Sequence, residues 1–198
     1  MKNSIGIHAL VWSGTWNLKD IENSIKLSKQ LGYDLIEIPL LDPFNFDIKN
    51  TKKYLDKYKF NSVTSLGLSE ETDISSSEEQ HRINGKKILE KALDVTFELG
   101  SDYMGGVLYS ALAKYHHPPN NESKKRSAEI LHHLSIKAKN YGIKIGLEPV
   151  NRYESNLINT AQQAIDFINI ADSDNLYVHL DSYHMNIEES DYIQPILL

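Results

Sequence analysis

The chain contains no cysteine. That excludes a disulfide framework, a thiolate metal site and a cysteine nucleophile. No apolar run approaches the roughly 18 residues of a membrane span. The opening Met1-Lys2-Asn3-Ser4-Ile5 leads directly into a strand-like segment, without the long apolar stretch of a secretory leader. A cytoplasmic location and no membrane partner are the expectations that follow. Positive charge is also short: 21 Lys and Arg against 27 Asp and Glu leave a net charge of −6. Binding a phosphate backbone calls for a clustered basic face. The densest basic stretch, Lys124-Lys125-Arg126, opens a helix-period segment and reads as a solvated face. Nucleic acid is therefore not the expected partner; a small, uncharged or metal-chelating molecule is. A Walker loop, a GxGxxG fingerprint, a GxSxG elbow and an HExxH pair are all missing. Gly105-Gly106 is only a glycine pair, too little for a phosphate cradle.

What is present is a repeating alternation. Short β-rich runs occupy 4–10, 35–40, 62–66, 103–107, 143–148 and 176–181, and several are nearly continuous apolar runs of the kind found in covered parallel strands. Between them the period changes to that of a helix. Leu18, Ile21 and Ile25 form one stripe, Ile88, Ala92, Val95 and Leu99 another, and Leu131, Leu134, Ala138 and Tyr141 a third. Gly32, Gly100 and Gly142 each follow a stripe, where glycine can take the left-handed conformation that stops a helix. Thr160-Ala161-Gln162-Gln163 has the spacing of a capping box and places a helix start just after Asn159. The polar, serine-rich stretch 69–79 reads as a long loop over the strand ends. With 198 residues, 40% of them hydrophobic and no linker-like segment, one domain spanning 1–198 is expected. Its α/β pattern leaves an open doubly wound sheet or a (β/α) barrel.

Ligand and catalytic groups of parallel α/β folds gather at the carboxyl ends of strands. Two such ends stand out. Ile145-Gly146-Leu147-Glu148-Pro149 finishes in a carboxylate, and Val178-His179-Leu180-Asp181 finishes in another, with His184 three residues later. Glu148 and Asp181 could converge on one hard cation, or serve as helix caps and arginine partners; spacing alone does not separate these. His179, two residues before Asp181, shares its side of the strand and is either a ligand or a hydrogen-bonded core histidine beneath the site. Glu37 suits a substrate hydrogen bond and a structural ion pair equally. His8, followed by Trp12 and Trp16, could line a pocket or simply pack. His116-His117 reads as a surface loop, and His132-His133, adjacent on a helix, face different directions.

Four segments resemble the D-tagatose/D-psicose 3-epimerase family within the xylose-isomerase-like (β/α)8 superfamily. They are 105–111 (Gly-Gly-Val-Leu-Tyr-Ser-Ala), 146–154 (Gly-Leu-Glu-Pro-Val-Asn-Arg-Tyr-Glu), 156–161 (Asn-Leu-Ile-Asn-Thr-Ala) and 179–189 (His-Leu-Asp-Ser-Tyr-His-Met-Asn-Ile-Glu-Glu). The last is the most specific, and the resemblance runs along essentially the whole chain. It implies a cytoplasmic isomerase acting at C3 of a ketose through an enediolate. Glu148 is then a metal ligand and catalytic acid/base, Asp181 a second metal ligand, and Glu154 and His184 sugar contacts; His8 joins them as a pocket residue. The implied cofactor is a divalent metal, Mn2+ foremost, with Co2+ or Mg2+ as alternatives.

The same resemblance assigns a histidine ligand and a second catalytic glutamate to strands seven and eight. Six strand–helix units are counted here, residues 191–198 are expected inside the sixth helix, and complete barrels usually need about 250 residues. The expectation is thus a TIM barrel-type fold cut to six units, with impaired activity by itself. Its two open sheet edges favour a homo-oligomer. Other readings are a hydroxypyruvate isomerase, an inosose dehydratase, an endonuclease-like phosphodiesterase or a non-catalytic fragment.

Overall fold

In the computed structural model, which describes residues 3–198, strands and helices alternate. Met1 and Lys2, which open the segment read above as lacking a leader, lie outside the described residues. The strands are β1 (Gly6–His8), β2 (Leu35–Pro39), β3 (Asn61–Leu68), β4 (Tyr103–Ala111), β5 (Lys144–Leu147) and β6 (Leu176–Val178). The helices are α1 (Leu18–Gln30), α2 (Ile48–Tyr58), α3 (Glu79–Leu99), α4 (Asn121–Asn140), α5 (Ala161–Ala171), α6 (Ser182–Glu188) and α7 (Gln194–Leu197).

Strand order decides between the two candidate architectures. All neighbours pair in parallel, in the order β1-β2-β3-β4-β5-β6. A doubly wound sheet reverses its order at a switch point; here each crossover moves one place in the same direction, which is barrel topology. The sheet also curls. Residues of β1 and residues following β6 line one common cavity, although six strands laid flat at ~4.8 Å spacing would hold the first and last about 24 Å apart.

Curling gives the two faces different environments. Along β2, Ile36 and Ile38 have no exposure, while Leu35 and Glu37 are half-buried. Along β3, Ser62, Thr64, Leu66 and Leu68 are buried and Val63 and Ser65 only partly so. The buried set meets the helices: Thr64 shares a 2.7 Å hydrogen bond with Thr96 of α3, and Ile21, Ile25, Leu89, Leu93, Leu131 and Leu134 complete that layer. The continuous apolar runs expected of the strands are therefore alternating ones in β2 and β3, because the inner face opens to a cavity. Glu37 owes its accessibility to that alternation.

Helix ends follow local chemistry. Gly32, Gly100 and Gly142 have φ of 87°, 77° and 72°, as expected of stop positions. Thr160 caps α5 by accepting from the Gln163 N–H, and Gln163 reaches back to the Asn159 N–H at 2.7 Å. Residues 69–79 form the predicted loop, with one short 3-10 turn at Glu70–Thr72. The sixth helix departs from expectation. It ends at Glu188, and Asp191 accepts from the N–H groups of Ile193 and Gln194 to set up the separate α7, with Pro195 in its first turn. None of the helices among the described residues is long and apolar enough to cross a membrane.

Candidate active site

The cavity, about 530 Å³, opens at the carboxyl ends of the strands. Its polar wall is His8, Glu37, Ser65, Glu148, His179 and Asp181; Pro39, Leu40, Val107 and Leu112 are among the apolar residues opposite. Among the described residues no lysine or arginine lines it.

Glu148 directly follows β5. Its N–H still joins the ladder, donating to the Gly106 carbonyl at 3.1 Å, but Pro149 has no N–H to continue it. The side chain therefore leaves the sheet at its very end. Tyr109, fully buried, fixes this turn: its hydroxyl lies 2.9 Å from the carbonyl oxygens of Glu148 and Ile158. Burial, reinforced by the negative charges of Asp181, Glu37 and Glu154, pushes the Glu148 carboxyl up to about 7.

Asp181 does two things at once. Its Oδ1 caps α6, accepting from the N–H of Tyr183 at 2.7 Å and of His184 at 3.1 Å, and its carboxylate lines the cavity. The capping role allowed by the sequence is realised, and it leaves the residue in the site. His184 is then carried to the Glu148 side, its Nε2 3.7 Å from Glu148 Oε1. The His184 Nδ1 accepts from the backbone N–H of Asn151 at 3.1 Å. His8 repeats the pattern: Nδ1 accepts from the Leu10 N–H at 3.2 Å, and Nε2 lies 3.6 Å from Glu37 Oε1 and 3.5 Å from Ser65 Oγ. In each case a backbone N–H donates to Nδ1 and Nε2 is directed at a carboxylate.

Of the residues singled out in the sequence, His8, Glu148 and Asp181 line the cavity, with Glu37 beside them. Glu154 and His184 stand on the Glu148 flank rather than in the lining. His179 is a cavity residue and not a core histidine one layer below; its Nδ1 pairs with the Tyr103 hydroxyl at 3.0 Å. The sequence reading passed over Tyr103 and Asn151. Tyr103 lies across Gly105 and Gly146, whose missing side chains make the room it occupies. That is one purpose of Gly105; Gly106, at φ 117° against the Leu66 carbonyl, allows the close approach of β3 and β4. Glu188 and Glu189 hold structure: Glu188 accepts two hydrogen bonds of 2.8 and 2.9 Å from the Arg152 guanidinium and a third from its backbone N–H, and Glu189 accepts from the Ala161 N–H.

A curled parallel sheet in sequential order, with carboxylates at its strand ends, is the arrangement of a TIM barrel, and residues 25–197 match the xylose isomerase-like TIM barrel family. The chain belongs to that family. Within it, the chain is 42% identical to the ketose 3-epimerase of Arthrobacter globiformis over 98% of this chain and 67% of that protein. It is 41% identical to the L-ribulose 3-epimerase of Methylomonas sp. (strain DH-1), covering 97% of this chain and 67% of the other. The solved D-allulose 3-epimerase from Methylomonas sp. in complex with D-allulose superimposes with a TM-score of 0.96 at 41% identity, over 98% of this chain and 67% of that one. The chain thus spans about two thirds of the length of these relatives.

Proposed function

We propose that the domain spanning 1–198 carries the chemistry of a ketose 3-epimerase, an isomerase that inverts C3 of a small free ketose of the D-psicose or D-tagatose type. The observation that carries this reading is Glu148: a partly buried carboxyl held near neutrality at a strand end, facing a cavity of sugar size. A base is most effective when its pKa lies near the working pH.

The donor set fits a divalent cation. Four carboxylates crowd this end of the sheet, no lysine or arginine among the described residues lines the cavity, and burial together with the mutual repulsion raises Glu148. Glu148 and Asp181 would hold the ion; among the described residues no third ligand-type side chain completes a cluster with them. Mn2+ is the first choice, with Co2+ or Mg2+ as alternatives. When bound, it supplies the Lewis acidity that stabilises negative charge developing on the sugar oxygens. Glu148 takes the C3 proton and holds it, leaving an enediolate. Glu154 and His184, on the same flank, orient the sugar, and His8 contacts it across the cavity from β1. Inversion requires a proton returned from the opposite face, so Glu148 alone gives exchange without epimer.

We also propose that the protein is a cytoplasmic homo-oligomer. Among the described residues β1 and β6 each have one strand neighbour, and these open edges, with the exposed Ile193, Ile196 and Leu197, support association.

NMR of D-fructose, D-psicose, D-tagatose and L-ribulose with the chain and Mn2+ in D2O tests the proposal. Deuterium at C3 without the epimer is the result expected of this chain by itself, abolished by a chelator. Deuterium together with the C3 epimer would show a second base acting on the opposite face, and no deuterium in any of the four sugars would overturn the assignment.

A further inference from the structure

Asn151, in the loop after β5, is only 1% exposed, and each of its polar groups has a partner. Its Nδ2 donates to Glu154 Oε1 at 2.7 Å and to His184 Nδ1 at 3.0 Å. Its backbone N–H donates to the same Nδ1 at 3.1 Å. Its Oδ1 accepts from the Tyr153 N–H at 3.0 Å, and its carbonyl from the N–H of Glu154 at 2.9 Å. A carboxylate only accepts and a backbone N–H only donates, so these partners determine which end of the amide is nitrogen and which ring nitrogen is bare.

We propose that Asn151 is a positioning residue that sets the tautomer and aim of His184 and the orientation of Glu154 together. Two donors converge on Nδ1, which keeps the ring proton on Nε2, the nitrogen facing Glu148. The second amide hydrogen holds the Glu154 carboxylate beside it. One side chain therefore ties α6 to the loop after β5 and presents a donor and an acceptor at fixed separation on the flank of Glu148. Aspartate at this position has the same shape and the opposite polarity: it sets an acceptor against Nδ1 and a second carboxylate against Glu154. The sugar-handling purpose of this arrangement rests on the function proposed above; the geometry does not.

The test reads the imidazole nitrogens of His184 by long-range 1H–15N NMR on the full chain without metal or sugar. The His184 signals are identified by their loss in His184→Gln. Expected is an unprotonated Nδ1 and a protonated Nε2 in the parent, with Nδ1 becoming protonated in Asn151→Asp. Ser155→Ala, which removes a different buried hydrogen bond in the same loop, between Ser155 and Ser110, should leave the pattern as in the parent. A parent Nδ1 that carries the proton overturns the proposal without any variant. So does a folded Asn151→Asp that keeps the parent pattern, or a Ser155→Ala that changes it in the same way. In the presence of D-psicose, Asn151→Asp should weaken sugar binding about tenfold. Because the ring pattern is read without sugar, a parent chain inactive on every ketose would overturn the proposed function and leave this result to be decided separately.

Discussion

Neighbouring residues on β2 answer to opposite demands. Ile36 and Ile38 lie against the helices with no exposure, and Glu37 between them faces the cavity beside His8. The same division runs across the sheet: Met104, Ile145 and Leu147 are fully buried, while His8, Ser65, Glu148 and His179 reach the cavity. Helix-side positions hold the fold by removing apolar surface from water. Cavity-side positions keep polar groups in a half-dry space where their charges interact strongly. The two-residue period of a strand lets the same few residues serve both ends without sharing a side chain.

Substitutions on either side should separate the two roles. Glu148→Gln should lower deuterium incorporation at C3 on the order of 10³-fold, the scale of a general base, with no loss of stability in denaturant titration. A comparable loss of stability would place Glu148 with the structural set. Ile36→Ala, on the helix side, should lower unfolding free energy by roughly 4 kcal/mol, while exchange per folded molecule stays near the parent value.

Acidity offers the next comparison. Glu148 titrates near the ordinary 4.5 when unfolded and is pushed up to about 7 when folded without metal. Between these values the folded state binds more protons, so stability falls as pH rises. The effect is absent below about pH 4.5 and reaches up to ~3 kcal/mol above pH 7. Melting of the metal-free parent and of Glu148→Gln should therefore diverge across this window, the variant being the more stable at pH 8. Glu188, held below the usual range by Arg152, acts in the opposite sense at lower pH and is common to both proteins. A saturating divalent cation should close the gap. Smallest is Tyr103→Phe, which removes the hydrogen bond to His179 and should cost about 1 kcal/mol. A loss well beyond that would mean that the hydroxyl also supports residues on the helix side.

The units that announced themselves in the sequence did so through glycine. α1, α3 and α4 are each followed by a glycine at positive φ, and their stripes could be read. α2 escaped notice because only Tyr54 and Leu55 among its buried residues are large and apolar, and it stops on Lys59 at φ 48°, where no glycine signals the end. Glu148 and Asp181 were legible because a strand that ends in a carboxylate is a local pattern. Tyr103 and Asn151 were not, because their partners lie 76 and 33 residues away. His184 sits one turn into a helix, and its ring stands by Glu148 through distant contacts, the cap made by Asp181 and the hydrogen bonds from Asn151. The strong family likeness of 179–189 marked that segment as functional without revealing which contacts made it so.

Tyr103 and the two glycines beneath it also constrain how this sequence can change over generations. A methyl group at Gly146 would overlap the tyrosine hydroxyl, and one at Gly105 would press on both Tyr103 and His179. Gly146 is replaceable only after Tyr103 has given way to a smaller residue, and Gly105 only when His179 has also moved aside. Reverting Gly146→Ala while the tyrosine remains is a closed route, whereas Tyr103→Ala followed by Gly146→Ala is open. Lineages descended from this chain should therefore carry the tyrosine and the glycines as an inherited set, lost together or kept together.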